Sequence, residues 1–157
     1  MASTTRATQA LTAAKVAFTV HHYDYDPNAE RIGMQAAEAL GEPGHRVLKT
    51  LMALVDGKAV CVVVPSDKEV SMKKLAGAFK GKKAEMMPPA DAERATGYHV
   101  GGISPFGQKR KVPTAIEEAA LAEPYVFMNG GQRGLQVRLT PADAQKALGA
   151  VAVSLIA

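Results

Sequence analysis

Two apolar runs set the terms on which this chain can fold. Val47 to Val55 and Ala59 to Val64 are joined through Asp56-Gly57, a dipeptide suited to the tight turn of a β-hairpin. Both runs are apolar at odd and even positions alike, so both faces of each strand have to be covered. The pair therefore belongs at the centre of a sheet with packed layers on either side. At 157 residues the chain can supply those layers as one unit spanning 1–157, since nothing in it reads as a repeat, a low-complexity stretch or a dividing linker.

The remaining elements follow from periodicity and punctuation. Thr5 to Ala14 predicts an opening helix, the alternation of Val16, Phe18 and Val20 a strand, and Asp26-Pro27-Asn28 a turn. Met34 to Leu40 predicts a helix ended by Gly41, Ser71 to Lys80 a helix followed by Gly81, and Asp91 to Thr96 a shorter one stopped by Gly97. Tyr125 to Asn129 and Leu135 to Leu139 read as strands around Gly130-Gly131-Gln132-Arg133-Gly134. Thr140 caps a helix with Pro141 at its first position, Gly149 closes it, and Val151 to Ile156 is a last strand. About seven strands and five helices in mixed order predict an α/β fold with a mixed, curled or barrel-like sheet and helices packed outside.

Several functional classes are excluded early. A single Cys rules out an intramolecular disulfide, and the start of the chain lacks a basic segment followed by an apolar one, so a cytoplasmic location is expected. No apolar run approaches the roughly 20 residues that cross a bilayer. Lys and Arg number 19 against 15 Asp and Glu, and the pI of about 9.2 favours a polyanionic partner.

The chemistry has to be found outside the common motifs, because no phosphate-binding Gly loop, zinc spacing or nucleophile elbow is present. Cys61 sits inside Val60-Cys61-Val62-Val63-Val64, where desolvation makes a thiol inert. His21, His22, Asp24 and Asp26 look metal-like, but adjacent His residues on a strand face opposite ways, so no metal and no cofactor is expected. Lys49 stands out: strand parity places it with Val47, Leu51, Ala53 and Val55, an ammonium on an apolar face. Such a charge needs a partner or a polar cleft, unless its stem simply carries it past the sheet end to water.

A cleft is on offer from the long loop between Tyr98 and Pro113, a length that in a compact unit usually serves function. Within it Gly101-Gly102-Ile103-Ser104-Pro105-Phe106-Gly107 can present unobstructed backbone N–H groups to a carbonyl oxygen or oxyanion, or can be only a turn. Lys73, Lys74, Lys80, Lys82 and Lys83, and separately Lys109, Arg110 and Lys111, are either a phosphate footprint or solvated faces.

Lys49-Thr50-Leu51, the stretch from Thr96 through Gly97-Tyr98-His99-Val100 to Gly107, and Gly130-Gly131-Gln132-Arg133-Gly134-Leu135 together resemble the YbaK family of aminoacyl-tRNA deacylases, in consistent order from about residue 5 to residue 155. The family is related to the editing domain inserted in some bacterial prolyl-tRNA synthetases. The resemblance implies removal of cysteine from mischarged proline tRNA, with alanine as an alternative amino acid and a non-catalytic tRNA- or synthetase-binding module as an alternative class. It implies aminoacylated tRNA as partner and admits prolyl-tRNA synthetase as another. It assigns catalysis to Lys49, Gly101 and Gly102. Substrate contacts fall to Tyr23, Ile32, Ile103, Ser104, Pro105, Asn129, Gly130, Gly131 and Gln136. Apart from the resemblance, basic charge alone makes Lys73, Lys74, Lys82, Lys83, Lys109, Arg110, Lys111 and Arg133 the candidate phosphate contacts. In the family the thiol of the bound cysteine attacks its own ester, which agrees with the absence of a nucleophile motif here. The chain departs from the family at Ile32, Asn129 and Gln136, where Phe, Ser and Asp are usual.

Overall fold

The computed structural model describes residues 4–30 and 32–157, with Ile32 as backbone only. In chain order it contains α1 (Arg6–Ala13), β1 (Thr19–His22), α2 (Gln35–Leu40), β2 (Leu48–Val55), β3 (Lys58–Pro65), α3 (Met72–Ala78), β4 (Ala84–Met86) and α4 (Pro89–Thr96). There follow β5 (Thr114–Glu117), β6 (Val126–Asn129), β7 (Leu135–Leu139), α5 (Pro141–Leu148) and β8 (Val151–Val153).

The anticipated hairpin forms at Asp56-Gly57, with Leu48 opposite Pro65 at one end and Val55 opposite Lys58 at the other. It sits inside a five-stranded sheet of order β4-β2-β3-β5-β8, in which β2 pairs antiparallel with β3 and β4 while β5 and β8 run parallel to β3. A second, antiparallel sheet has the order β1-β7-β6. The two sheets meet where Val47, just before β2, bridges Phe127 of β6. The mixed α/β architecture read from the sequence is present, and its curl takes the form of two open sheets joined at that bridge, without closure into a barrel.

Burial explains why β3 is apolar throughout. Cys61 and Val63 face a core shared with Met52, Ile116, Met128 and Val137 and roofed by Leu11 of α1 and Leu148 of α5. Val60, Val62 and Val64 face a second core closed by Leu75 of α3 and by Leu155. Leu75 is fully buried, and truncating such a side chain to Ala costs about 2–5 kcal/mol.

The differences from expectation have local causes. The strand expected over Val16–Val20 begins at Thr19; Val16 and Phe18 pack on the core without joining a ladder. Helix α3 stops at Ala78, short of the Lys80 end expected, and Lys80 itself turns left-handed at φ +57°. Two strands had no sequence signal. β4 is three residues long and largely exposed, and β5 ends in Glu117, a carboxylate only 2% exposed. That carboxylate accepts the N–H groups of Ala119 at 2.8 Å, Leu155 at 2.7 Å and Ile156 at 3.3 Å, so the charge is held by the chain's own backbone.

Candidate functional site

Strand β2 is paired along its outer edge only in part. β4 covers Ala53 to Val55, the Met87 N–H extends the contact to the Met52 carbonyl at 3.1 Å, and the bridge to Phe127 closes the other end at Val47. Between these points Leu48 to Leu51 have no strand neighbour on that side. Because Met52 and Leu54 turn their backbone groups outward, every second residue does, and Thr50 therefore presents its N–H and C=O to the open edge. A cavity of about 330 Å³ lies along this gap. Its floor is Leu48 to Met52, and its walls come from Tyr23 and Tyr25, from Met86 and Met87, from Val100, Gly101 and Ile103, and from Asn129 and Gln136.

Two Gly-rich loops form the far wall, and they are locked together. Gly102 packs against the backbone of the other loop so closely that a Cβ would lie 2.7 Å from the Arg133 nitrogen and 2.9 Å from the Gln132 carbonyl carbon. Gly101 has φ +92°, where a side chain would in addition meet the Tyr25 hydroxyl at 2.8 Å. Asn129 ties the loops: its Oδ1 accepts the N–H of Gly131 at 2.7 Å and of Gln132 at 3.2 Å, and its Nδ2 donates to the Gly101 carbonyl at 3.3 Å. Arg133 Nε donates to the Val100 carbonyl at 2.9 Å, and the Tyr98 hydroxyl donates to the Phe106 carbonyl at 2.5 Å.

The electrostatics of the cavity are one-sided. Lys49 is half-buried and is the only charged side chain lining it among the described residues; no carboxylate and no imidazole joins it. Among those residues the Lys49 side chain makes no hydrogen bond or ion pair. Leu51, Ala53 and Val55, which share its strand parity, belong to the core beneath α3, whereas Val47 packs with Ala37 and Phe127; Lys49 lines the cavity between these two apolar groups. Among the described residues two polar side-chain atoms are buried without partners: Thr50 Oγ1 and Gln136 Oε1. Each such vacancy costs about 1–3 kcal/mol. Burial pushes the Tyr23 hydroxyl up in pKa and the neighbouring Tyr25 adds to this, while hydrogen bonds with Gly134 and Gln136 pull the other way. Tyr23 is thus a neutral phenol at ordinary pH.

The structure gathers Lys49, Tyr23, Gly101, Ile103, Asn129 and Gln136 around one space. Others named from the sequence stand elsewhere. Gly102 donates its N–H to the His99 carbonyl at 2.8 Å, so it is no free oxyanion donor. The N–H groups of Gly101 and Ile103 have no partner among the described residues, and both residues line the cavity. Ser104 is fully buried, its hydroxyl accepting the Phe106 N–H at 3.1 Å; Gly130 and Gly131 do not line the cavity, and Pro105 lines a separate hollow with Leu11 and Leu148. The Ile32 side chain lies outside the described residues.

Cys61 is fully buried in the sheet, and desolvation pushes its thiol up to about 12, against the weaker pull of Gln108 and Thr114. His21 packs edge-on to Phe127 at 5.1 Å while His22 is exposed, so the pair divides between environments. No group of three or more His, Cys, Asp or Glu among the described residues is placed to hold a metal ion. Ser66 lines the cavity, but its hydroxyl donates to the carbonyls of Val47 at 2.6 Å and Gly44 at 3.1 Å. The phosphate candidates split. Lys109, Arg110, Lys111 and Arg133 lie on the loop side. Lys82 and Lys83 stand at the hairpin end by Asp56, and Lys74 donates to the Ser154 hydroxyl and the Ile156 carbonyl. Sequence reasoning missed Thr50, Met86, Met87 and Tyr25. Thr50 carried a signal, as the one polar residue on the other face of β2; Met86 and Met87 belong to the strand region that went unread.

The model of the aminoacyl-tRNA editing domain matches residues 26–147. EbsC of Enterococcus faecalis, provisionally named a Cys-tRNA(Pro)/Cys-tRNA(Cys) deacylase, is 40% identical over 106 residues, 67% of this chain and 65% of that protein. The proline–tRNA ligase of Acidithiobacillus ferrooxidans is 31% identical over 87 residues, 55% of this chain and 15% of the ligase. The match thus spans just under two thirds of the first relative and a small part of the second. Among solved structures, a chain provisionally described as a trans-editing enzyme for prolyl tRNA synthetase superposes with a TM-score of 0.81 at 22% identity, over 97% of this chain and 95% of that one. Another, described only as a hypothetical protein, gives 0.81 at 24% identity over 98% and 100%. At such identities the superpositions speak for the shared fold, and the matched model covers most of the sequence. The chain belongs to the aminoacyl-tRNA editing domain family.

Proposed function

We propose that this protein is a cytoplasmic trans-editing deacylase that clears cysteine from mischarged proline tRNA and accepts other cysteinyl-tRNAs. The observation that carries this reading is a cavity shaped by the editing-domain loops in which no protein group is set up to attack or to remove a proton. The Ser66 hydroxyl is committed to two carbonyls, Tyr23 is a neutral phenol, and the Thr50 hydroxyl, though unpartnered, has no His, Asp or Glu lining the space among the described residues to take its proton. Chemistry then falls to the substrate. The cysteine sulfur, losing its proton, attacks the ester carbonyl carbon; the bond to the ribose oxygen breaks, that oxygen takes a proton, and a cyclic thioester leaves. The free N–H groups of Gly101 and Ile103 are suited to the developing oxyanion, and Lys49 to positioning the charged end of the tRNA.

Turnover is the test. Purified protein mixed with a large excess of cysteinyl-tRNA of proline type should discharge all of it and leave correctly attached proline in place. Protection of a stoichiometric fraction, with no discharge, would make the protein a binding module.

A further inference from the structure

The mouth of the cavity opens onto a strip of cations, of which only Arg133 has an acid, Glu93, beside it among the described residues. Arg133 stands at that mouth: it holds the Val100 carbonyl, its guanidinium lies over the Tyr25 ring at 5.3 Å, and both partners line the cavity. The loop that carries it rests on the start of α1, since a Cβ on Gly131 would lie 3.2 Å from Thr5 Oγ1 and 3.3 Å from Ala7 Cβ. Arg6, next along, spreads its guanidinium over Gly97, where an added Cβ would meet Nη1 at 2.5 Å and Lys109 Cβ at 3.4 Å. Lys109 and Arg110 are fixed beside it by backbone N–H donation to the carbonyls of Thr96 at 2.8 Å and Ala95 at 3.1 Å. Arg6, Lys109 and Arg110 are exposed, and none forms an ion pair among the described residues. Glu93 is close, but its carboxylate already accepts the Val100 N–H at 2.9 Å and lies 3.6 Å from His99.

We infer that Arg6, Lys109, Arg110 and Arg133 are the track of the tRNA acceptor strand into the cavity, with the terminal base on Tyr25 and Val100. This rests on the proposed function and names the route of its substrate. A row of cations whose one neighbouring acid is Glu93, at the Arg133 end, keeps a net positive charge that fits regularly spaced phosphates. Val100, 41% exposed beside the Arg133–Tyr25 stack, supplies the apolar and aromatic platform that an unpaired base needs. Lys73, Lys82 and Lys83 lie off this track. Lys82 and Lys83 sit at the far end of β4 beside Asp56 and Glu85, so the two basic groups recognised in the sequence are not equivalent.

The test uses uncharged proline tRNA, so that it does not depend on catalysis. Binding is measured against salt for the wild type, R6Q/K109Q/R110Q and K73Q/K82Q/K83Q. The first triple variant should flatten the log–log slope by about 2–3, at 0.7–0.9 per lost phosphate contact, and the second should leave it as it is. K109Q/R110Q, confined to an exposed loop, carries the test if Arg6 variants melt early, with an expected change of about 1.4–1.8. An unchanged slope in K109Q/R110Q, or a larger change in the Lys73 set, overturns the track. So does an unchanged slope accompanied by lost binding to prolyl-tRNA synthetase, which would make this face a protein interface. A wild type that shows the predicted slopes yet discharges no tRNA would end the proposed function and leave the track standing.

Discussion

Asn129 holds the carbonyl of Gly101 within the same wall of the cavity, donating Nδ2 at 3.3 Å while its Oδ1 takes the Gly131 N–H at 2.7 Å. One amide therefore sets the spacing of both Gly loops. Asn129→Ala should remove three hydrogen bonds, lower stability by about 1–3 kcal/mol, and reduce single-turnover deacylation more than that loss of folded protein explains. Asn129→Asp keeps the acceptor and turns a carboxylate toward the Gly101 carbonyl. It should fold and be slow, and a fast Asn129→Asp variant would show that the Gly101 tether is dispensable.

Lys49 is expected to matter for turnover and little for stability. Its ammonium has no partner to lose, so Lys49→Ala should melt at or above the wild-type temperature while single-turnover rates fall at least roughly a hundredfold. Lys49→Arg should rescue poorly because a planar fork does not place charge where a compact ammonium does. Near-normal rates in folded Lys49→Ala would leave the loop donors as the whole apparatus.

How much of this was legible beforehand depends on how local each signal was. The β2–β3 hairpin was written in unbroken apolar runs and a turn dipeptide, and Lys49 could be singled out by parity alone. β4 and β5 were not legible, because β4 is short and exposed and β5 ends in a carboxylate whose partners arrive from residues 119, 155 and 156. The same holds in the site. Gly101 and Gly102 look alike in sequence, and only the fold shows that the Gly102 N–H is spent on His99 while that of Ile103 is free.

Cys61 should be chemically silent and visible in alkaline stability. Its thiol is raised from 9.0 to about 12 on folding, so the folded chain keeps a proton that the unfolded chain gives up. The stability tied to that proton is complete below about pH 9 and is lost as pH rises toward 12, at up to about 1.4 kcal/mol per pH unit. Cys61→Ala should cost about 1–2 kcal/mol at pH 7 through a small cavity, retain turnover, and lose less stability than the wild type between pH 9 and 11. Parallel alkaline slopes in the two proteins would contradict the burial argument.

Gln136 bears on selectivity. Its Oε1 is buried without a partner while the side chain also bonds the Tyr23 hydroxyl, so Gln136→Met, of similar volume, removes one orphaned oxygen and one hydrogen bond and should change stability by less than about 1 kcal/mol. If the vacancy is kept for the aminoacyl group, that variant should raise KM and narrow the preference for cysteinyl over alanyl ester by about tenfold. Unchanged KM and preference would make the vacancy a packing residue of the fold.

The central claim is that the substrate supplies the nucleophile. Single-turnover deacylation of proline tRNA carrying cysteine, beside the same tRNA carrying serine, changes one sulfur to oxygen and leaves the cavity as it is. The account predicts rapid release of cysteine and clearance of serine slower by two orders of magnitude or more; equal rates for the two would contradict it.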